Sequence, residues 1–283
     1  MKDSHKAISE RKEDTHKGNY GRVVVVAGST GMSGAAYLCA QAALVSGCGL
    51  VNLAIPKSLN NCMEVKLTEV ITNPQEETKE GTFSAKAYTG IYELTQQATA
   101  VAIGCGITIH PQVKNLIKKL IREIKVPLVI DADALNSIAD EVSILKEAKN
   151  DIVITPHPGE MGRLCNLDSK AVQADRIKLA KKFSLKYNVI TVLKGYQTVI
   201  VDKNGNQYIN TTGNSGMASA GVGDVLTGMI ASFIAQGLET YGAAKLGVYL
   251  HGLSGDLAAA KRGQVSLIAT NVLECIPEAI QKI

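Results

Sequence analysis

Four consecutive valines, Val23 to Val26, run almost directly into the small-residue turn Gly28-Ser29-Thr30-Gly31-Met32-Ser33-Gly34. A strand with no polar residue at alternate positions must be buried on both faces, as in a parallel sheet covered by helices on each side. A small-residue helix from about Ala35 to Ser46 follows, then a second strand, Leu50 to Ile55, ended by Pro56. Regular structure, beginning at Arg22, therefore opens with a β-turn-α-β unit, and such a crossover implies parallel strands.

The pattern repeats. Strands are expected at Thr99–Ile103, Pro127–Ile130, Asp151–Ile154 and Val189–Leu193. They exit into Gly104-Cys105-Gly106, Asp131-Ala132-Asp133, Thr155-Pro156-His157-Pro158-Gly159-Glu160 and Lys194-Gly195. Helices are expected over Pro111–Ile124, with Pro at the start, and Ala171–Tyr187. Gln197–Val201 and Gln207–Ile209 read as an antiparallel pair around Asn204-Gly205. From Met217 onward the chain reads as nearly all helix. Residues 72–82, polar around Asn73-Pro74-Gln75-Glu76-Glu77, read as a surface loop, and residues 1–15 as a flexible or helical arm. No Pro- or Ser-rich linker divides the chain and no internal repeat stands out. The 283 residues are expected to form one α/β domain, a doubly wound, mostly parallel sheet with helices on both faces. Ligands bind such sheets beyond the carboxyl ends of the strands, and every unusual cluster falls there.

Composition removes several functions. With no Trp and three Phe, aromatic platforms for single-stranded nucleic acid are not expected, and a net charge of +4 provides no basic stripe. None of the six cysteines forms a Cys-x-x-Cys pair, and all read as buried, reduced thiols. The charged N-terminus lacks the apolar segment of a signal peptide, and no apolar run reaches membrane-spanning length. The expectation is a cytoplasmic protein that binds neither nucleic acid nor membrane.

The richest segment is Gly213 to Gly228, where small residues and glycines precede a lone acid, Asp224, and then an apolar helix. Glycine lets backbone approach a ligand closely. Amides at a helix start, reinforced by the helix dipole, attract an anion. An acid there would repel a phosphate, so Asp224 is better placed to take a proton from a hydroxyl attacking that phosphate. The pattern points to phosphoryl transfer to a small alcohol.

The other clusters admit two readings each. The Gly28–Gly34 turn lacks the ending of a P-loop and the Gly-x-Gly-x-x-Gly spacing, so close helix packing is an equal explanation. Asp131 and Asp133 suit a divalent cation, directly or through water, while Asp133 by itself better suits capping the helix that follows, and the two roles can coexist. Two prolines pin His157; Glu160 either compensates the helix dipole or serves as an outer-shell metal ligand. Lys194 either meets a nucleotide phosphate as a point charge or is a solvated surface lysine.

Together, His16-Lys17-Gly18, Gly21-Arg22-Val23, Ala27-Gly28-Ser29 with Gly34-Ala35, Asp131-Ala132-Asp133-Ala134-Leu135, Thr155 to Met161, Lys194-Gly195 and Gly213 to Gly228 cover nearly the whole chain. In these the chain resembles the ADP/ATP-dependent NAD(P)H-hydrate dehydratases, the C-terminal YjeF-type domain of the ribokinase-like superfamily. The resemblance implies a repair enzyme that dehydrates the S epimer of hydrated NAD(P)H, using ADP or ATP with Mg2+. It implies Asp224 as base, with the amides of Gly221 to Asp224, Gly223 included, as an anion hole. It further implies Ala35, Gly106, His157 and Asp224 as the hydrate site, and Lys194, Gly195, Tyr196, Gln197, Thr198 and Gly223 as the nucleotide site. Glu160, with Asp131 and Asp133, would organise the metal and phosphates. A homotetramer is implied too. Many relatives carry an N-terminal epimerase domain; this chain is expected to lack one, leaving epimerisation to a separate protein. The rivals are a kinase of the same superfamily, such as a hydroxyethylthiazole-kinase-like enzyme, and a non-catalytic nucleotide sensor.

Overall fold

The four-valine strand lies third from one edge of a nine-stranded sheet. The computed structural model describes Arg11 and residues 13–283; most of the expected arm lies outside these. The strands are β1 (Arg22–Val26), β2 (Leu50–Pro56), β3 (Ile71–Gln75), β4 (Ala100–Ile103), β5 (Leu128–Ile130), β6 (Ile152–Ile154), β7 (Ile190–Leu193), β8 (Val199–Val201) and β9 (Gln207–Ile209). They lie in the order β3-β2-β1-β4-β5-β6-β7-β8-β9; β1 to β7 are parallel, β8 is antiparallel to β7, and β9 is antiparallel to β8 at the edge.

Successive side chains of a strand point to opposite faces, which explains the valine run. Val23 and Val25 pack with the helices Ser33–Val45, Val222–Ala235 and Thr240–Arg262. Val24 and Val26 pack with Ala87–Thr95, Pro111–Glu123 and Ala132–Ser137 on the other face. The doubly wound architecture expected from sequence is present.

Three local expectations need correction. Residues 71–75 form the edge strand β3, not a loop; its register opposite β2 sets Pro74 against Ile55. Proline is tolerated at an edge, where no neighbour needs its missing N–H, and the half-exposed, polar segment disguised the strand. The helix expected over 171–187 is two helices, Ser169–Ala174 and Arg176–Tyr187, broken at Asp175, whose carboxylate caps the second by accepting from Lys178 N. Of the cysteines, four are buried, Cys165 is half-buried and Cys62 is exposed; all are free. The short helix Asn60–Lys66 and the helix Ala87–Thr95 were not anticipated.

Strand order reverses at β1, which has β2 on one side and β4 on the other. Such a switch point opens a crevice at the carboxyl ends of the strands. There Gly28 N donates to Cys105 O at 2.8 Å and Ser29 Oγ donates to Gly106 O at 2.7 Å, joining the exits of β1 and β4.

Candidate active site

The exits of β1, β4, β5, β6 and β7 and the start of helix Val222–Ala235 meet at this crevice. Gly106 comes so close to the start of helix Ser33–Val45 that a Cβ on it would lie 2.9 Å from Met32 Cβ and 3.0 Å from Ala35 Cβ. The sequence-predicted pair Ala35 and Gly106 therefore forms one wall.

The exit of β5 supplies Asp131, which is 1% exposed. Its Oδ1 accepts from Lys194 Nζ at 2.7 Å and its Oδ2 from Thr227 Oγ1 at 2.7 Å. The next residue, Ala132, has φ +50°, a costly conformation for a residue with a Cβ that persists only where the surroundings impose it. Asp133 is not the cap of the following helix. Asp131 occupies the N-cap position, while Asp133 lies in the first turn and accepts from Thr108 N at 2.9 Å and Asn136 Nδ2 at 3.4 Å. Lys194 is correspondingly no solvated surface lysine. Burial pulls its pKa down, but Asp131 and Glu160 outweigh burial and hold it above the ordinary value.

At the exit of β6, His157 caps the helix Pro158–Cys165 in a reciprocal box. Its Nδ1 accepts from Gly159 N at 3.0 Å, and its own backbone N donates to Glu160 Oε2 at 2.8 Å. With Nδ1 an acceptor, the neutral ring carries its proton on Nε2, 3.3 Å from Glu160 Oε1. Burial, aided by Lys194, lowers the pKa of His157. Burial raises that of Glu160, whose Oε2 lies 4.0 Å from Lys194 Nζ. His157, Glu160, Lys194 and Asp131 thus form one connected chain of contacts.

Asp224 lies in the first turn of helix Val222–Ala235, after Gly221. Gly221 adopts the left-handed conformation (φ +85°), and a Cβ there would lie 2.5 Å from Leu38 Cδ1. Both facts select glycine. The first helical amides have no intrahelical acceptor, so the backbone around Gly223 presents donors beside the acid. A Cβ on Gly223 would stand 3.2 Å from Lys194 Nζ. Ligating atoms of Asp224, Asp131 and Cys105 lie within 4.8 Å of one another. Burial, then the charge of Asp131, pushes the Asp224 carboxyl up to about 7, against a partial opposing pull from Cys105 and Lys194. An acid that ionises near neutrality is suited to general-base work.

The loop after Lys194 is separate from this cluster in its contacts. Gly195 abuts the guanidinium of Arg176, Thr198 Oγ1 donates to Gly195 O at 3.0 Å, and Tyr196 is 86% exposed. Arg176 Nη2 donates to Leu193 O at 2.7 Å, and Nη1 donates to Tyr196 O. Gln197 has φ +54°. Sequence reasoning missed Arg176, Thr227 and Cys105.

The fold is of the ribokinase-like α/β class. More narrowly, the chain belongs to the NAD(P)H-hydrate dehydratase family, whose model matches residues 23–278. It is 42% identical over 276 residues to the bifunctional NAD(P)H-hydrate repair enzyme Nnr of Moorella thermoacetica, covering 98% of this chain and 52% of that protein. It is 35% identical over 252 residues to an ADP-dependent (S)-NAD(P)H-hydrate dehydratase of Neisseria meningitidis, covering 87% of this chain and 80% of that one. The chain spans about half the length of most of the curated relatives it matches. Among solved structures, the ADP/ATP-dependent NAD(P)H-hydrate dehydratase of Bacillus subtilis co-crystallized with ATP/Mg2+ superposes with a TM-score of 0.84 at 26% identity, over 99% of this chain and 96% of that one.

Proposed function

We propose that this chain dehydrates the S epimer of hydrated NAD(P)H, restoring NAD(P)H at the expense of ADP or ATP. The observation that carries the reading is Asp224, an acid held near neutrality in the first turn of a glycine-turned helix. Hydroxide is a poor leaving group, so the C6 hydroxyl is first phosphorylated. Asp224 takes the hydroxyl proton as the oxygen attacks the terminal phosphorus, and the bond from that phosphorus to the rest of the nucleotide breaks. The amides of Gly221 to Asp224 face the charge that develops on the phosphoryl oxygens. Phosphate then leaves with the C6–O electron pair, pushed by the ring nitrogen lone pair, and loss of a C5 proton restores the dihydropyridine. The products are NAD(P)H, inorganic phosphate and a nucleotide shorter by one phosphate. Ala35, Gly106 and His157 line the hydrate side; Lys194, Gly195 to Thr198 and Gly223 hold the nucleotide side.

The acids fit Mg2+ in one manner. Asp131, Asp133 and Glu160 already accept from Lys194, Thr227, Thr108 N, Asn136 and His157 N. They suit outer-sphere contact to a water-clad ion carried on substrate phosphates, the usual habit of Mg2+. Such an ion neutralises phosphate charge. The Cys105–Asp131–Asp224 group is unsuited to it, because contact with Cys39 and burial hold the Cys105 thiol pKa well up. No helix among the described residues is long and apolar enough to cross a membrane. A cytoplasmic homotetramer without nucleic-acid or membrane partners belongs to the same reading; sedimentation gives the mass of the assembly.

The test is incubation with the hydrate, Mg2+ and each nucleotide, following dihydronicotinamide absorbance and free phosphate. Recovery of both supports the reading. A stable phosphorylated alcohol would overturn it in favour of the kinase alternative.

A further inference from the structure

The long helix Thr240–Arg262 lies behind the segment that ends in Asp224, and it carries two polar side chains that the mechanism does not use. Asp256 grips one end of that segment. Its Oδ2 accepts from Gly213 N at 2.9 Å and its Oδ1 from Asn214 Nδ2 at 2.9 Å. The Asn214 side chain in turn caps the next turn by accepting from Gly216 N at 3.0 Å. His251 grips the other end: it is 8% exposed, and its Nε2 lies 2.9 Å from Val222 O in the first turn of the helix that bears Asp224. A carbonyl only accepts, so Nε2 carries the proton. Between them the helix is stripped to glycine where the loop crosses it. A Cβ on Gly252 would lie 2.2 Å from Thr212 Oγ1, and one on Gly255 would lie 2.2 Å from Met217 Sδ. The segment from Gly213 to Val222 is therefore clamped at both ends and pressed against the helix in the middle.

We infer that Asp256 and His251 are positioning residues, which hold the Gly213–Val222 segment in the curvature that aims the amides of Gly221 to Asp224 at the transferring phosphoryl group. The inference rests on the proposed phosphoryl transfer. Neither residue touches a reacting atom in this account. Each acts through backbone, and misplacing a catalytic group by about 1 Å can cost about a hundredfold in rate. Asp256→Asn keeps one acceptor but turns an N–H donor toward a donor partner. His251→Leu removes the bond to Val222 O, whereas His251→Gln can place an amide N–H where Nε2 stands.

The experiment measures kcat and equilibrium nucleotide affinity per folded molecule for wild type and the three variants. The expected result is a fall in kcat of about 10- to 100-fold for Asp256→Asn and His251→Leu. Nucleotide Kd should move less than about threefold, and His251→Gln should recover most of the loss. Unchanged kcat per folded molecule in Asp256→Asn, or His251→Gln falling as far as His251→Leu, overturns the inference. Should His251→Leu fail to fold, the partly exposed Asp256 still decides the matter. Absence of turnover in the wild type would sink the proposed reaction instead. In that event amide exchange of a peptide spanning residues 213–225 still tests the clamp, which predicts faster exchange there in Asp256→Asn and no change elsewhere. Uniform exchange across the chain overturns it.

Discussion

Two glycine-rich turns lie side by side at the crevice, and only one gathers buried charge around it. Their helices, Ser33–Val45 and Val222–Ala235, pack so closely that a Cβ on Gly228 would lie 2.1 Å from Cys39 O. In the first turn, Gly31 and Gly34 face open space and no acid lies in the first helical turn. In the second, Gly221 is held in a left-handed conformation against Leu38, and Asp224 stands beside Asp131 and Lys194. Glycine content alone does not make an anion site. What distinguishes the two is charge brought in by other strands: Asp131 from β5, Glu160 from β6 and Lys194 from β7.

Breaking the comparison at its centre should give the largest effect. Asp224→Asn should lower kcat about a hundredfold to ten-thousandfold, as loss of a general base does, while nucleotide affinity changes little. Near-normal turnover would leave the two turns equivalent. The same variant should raise the Tm at pH 8. Folding lifts the Asp224 pKa to about 7, so between pH 4 and 7 the native state binds the extra proton and stability falls as pH rises. Removing the buried charge should recover about 2–4 °C for each kcal/mol in a domain of this size.

Next in size is Lys194→Met, which strands the carboxylate of Asp131 beneath the second turn. Loss of one partner of a buried pair costs about 3–5 kcal/mol, so urea unfolding should shift by that much; an unchanged midpoint would detach Lys194 from the site. Third, the pH profile: kcat/KM should fall about tenfold per unit below pH 7 as Asp224 takes up its proton, and a profile flat to pH 5 would assign the base elsewhere. Smallest is Gly34→Ala. The position is helical and open, so alanine should add about 0.5–1 kcal/mol of stability. A rise in KM for the hydrate, with nucleotide KM constant, would sharpen the comparison by assigning the first turn to the hydrate.

A stability profile separates His251 from Asp224. Burial lowers the His251 pKa to about 4. Between pH 6.5 and 4 the unfolded chain binds the proton that the native state refuses, so this contribution is lost as pH falls. His251→Gln should flatten that limb.

Much of this molecule is legible in its residues. The valine run dictates a strand buried twice over, and the crossover after it dictates parallel pairing, because hydrophobic burial and strand geometry act over a few residues. Gly221, Gly223 and Asp224 likewise mark themselves, since left-handed backbone and an acid in a first helical turn are local matters. The edge strand β3 was not legible, since half-exposed polar residues with a proline carry a loop's signature. Nor were the roles of the charged groups. Whether Lys194 is solvated or buried, whether Asp131 or Asp133 holds the N-cap position, and that His251 and Asp256 face the loop from behind depend on residues far apart in the chain. Those pairings exist because parallel strands deliver their ends to one edge. The chain alone determined which backbone could turn there; only the folded arrangement decided which charges would meet, because electrostatic partners are set by distance in space and by burial.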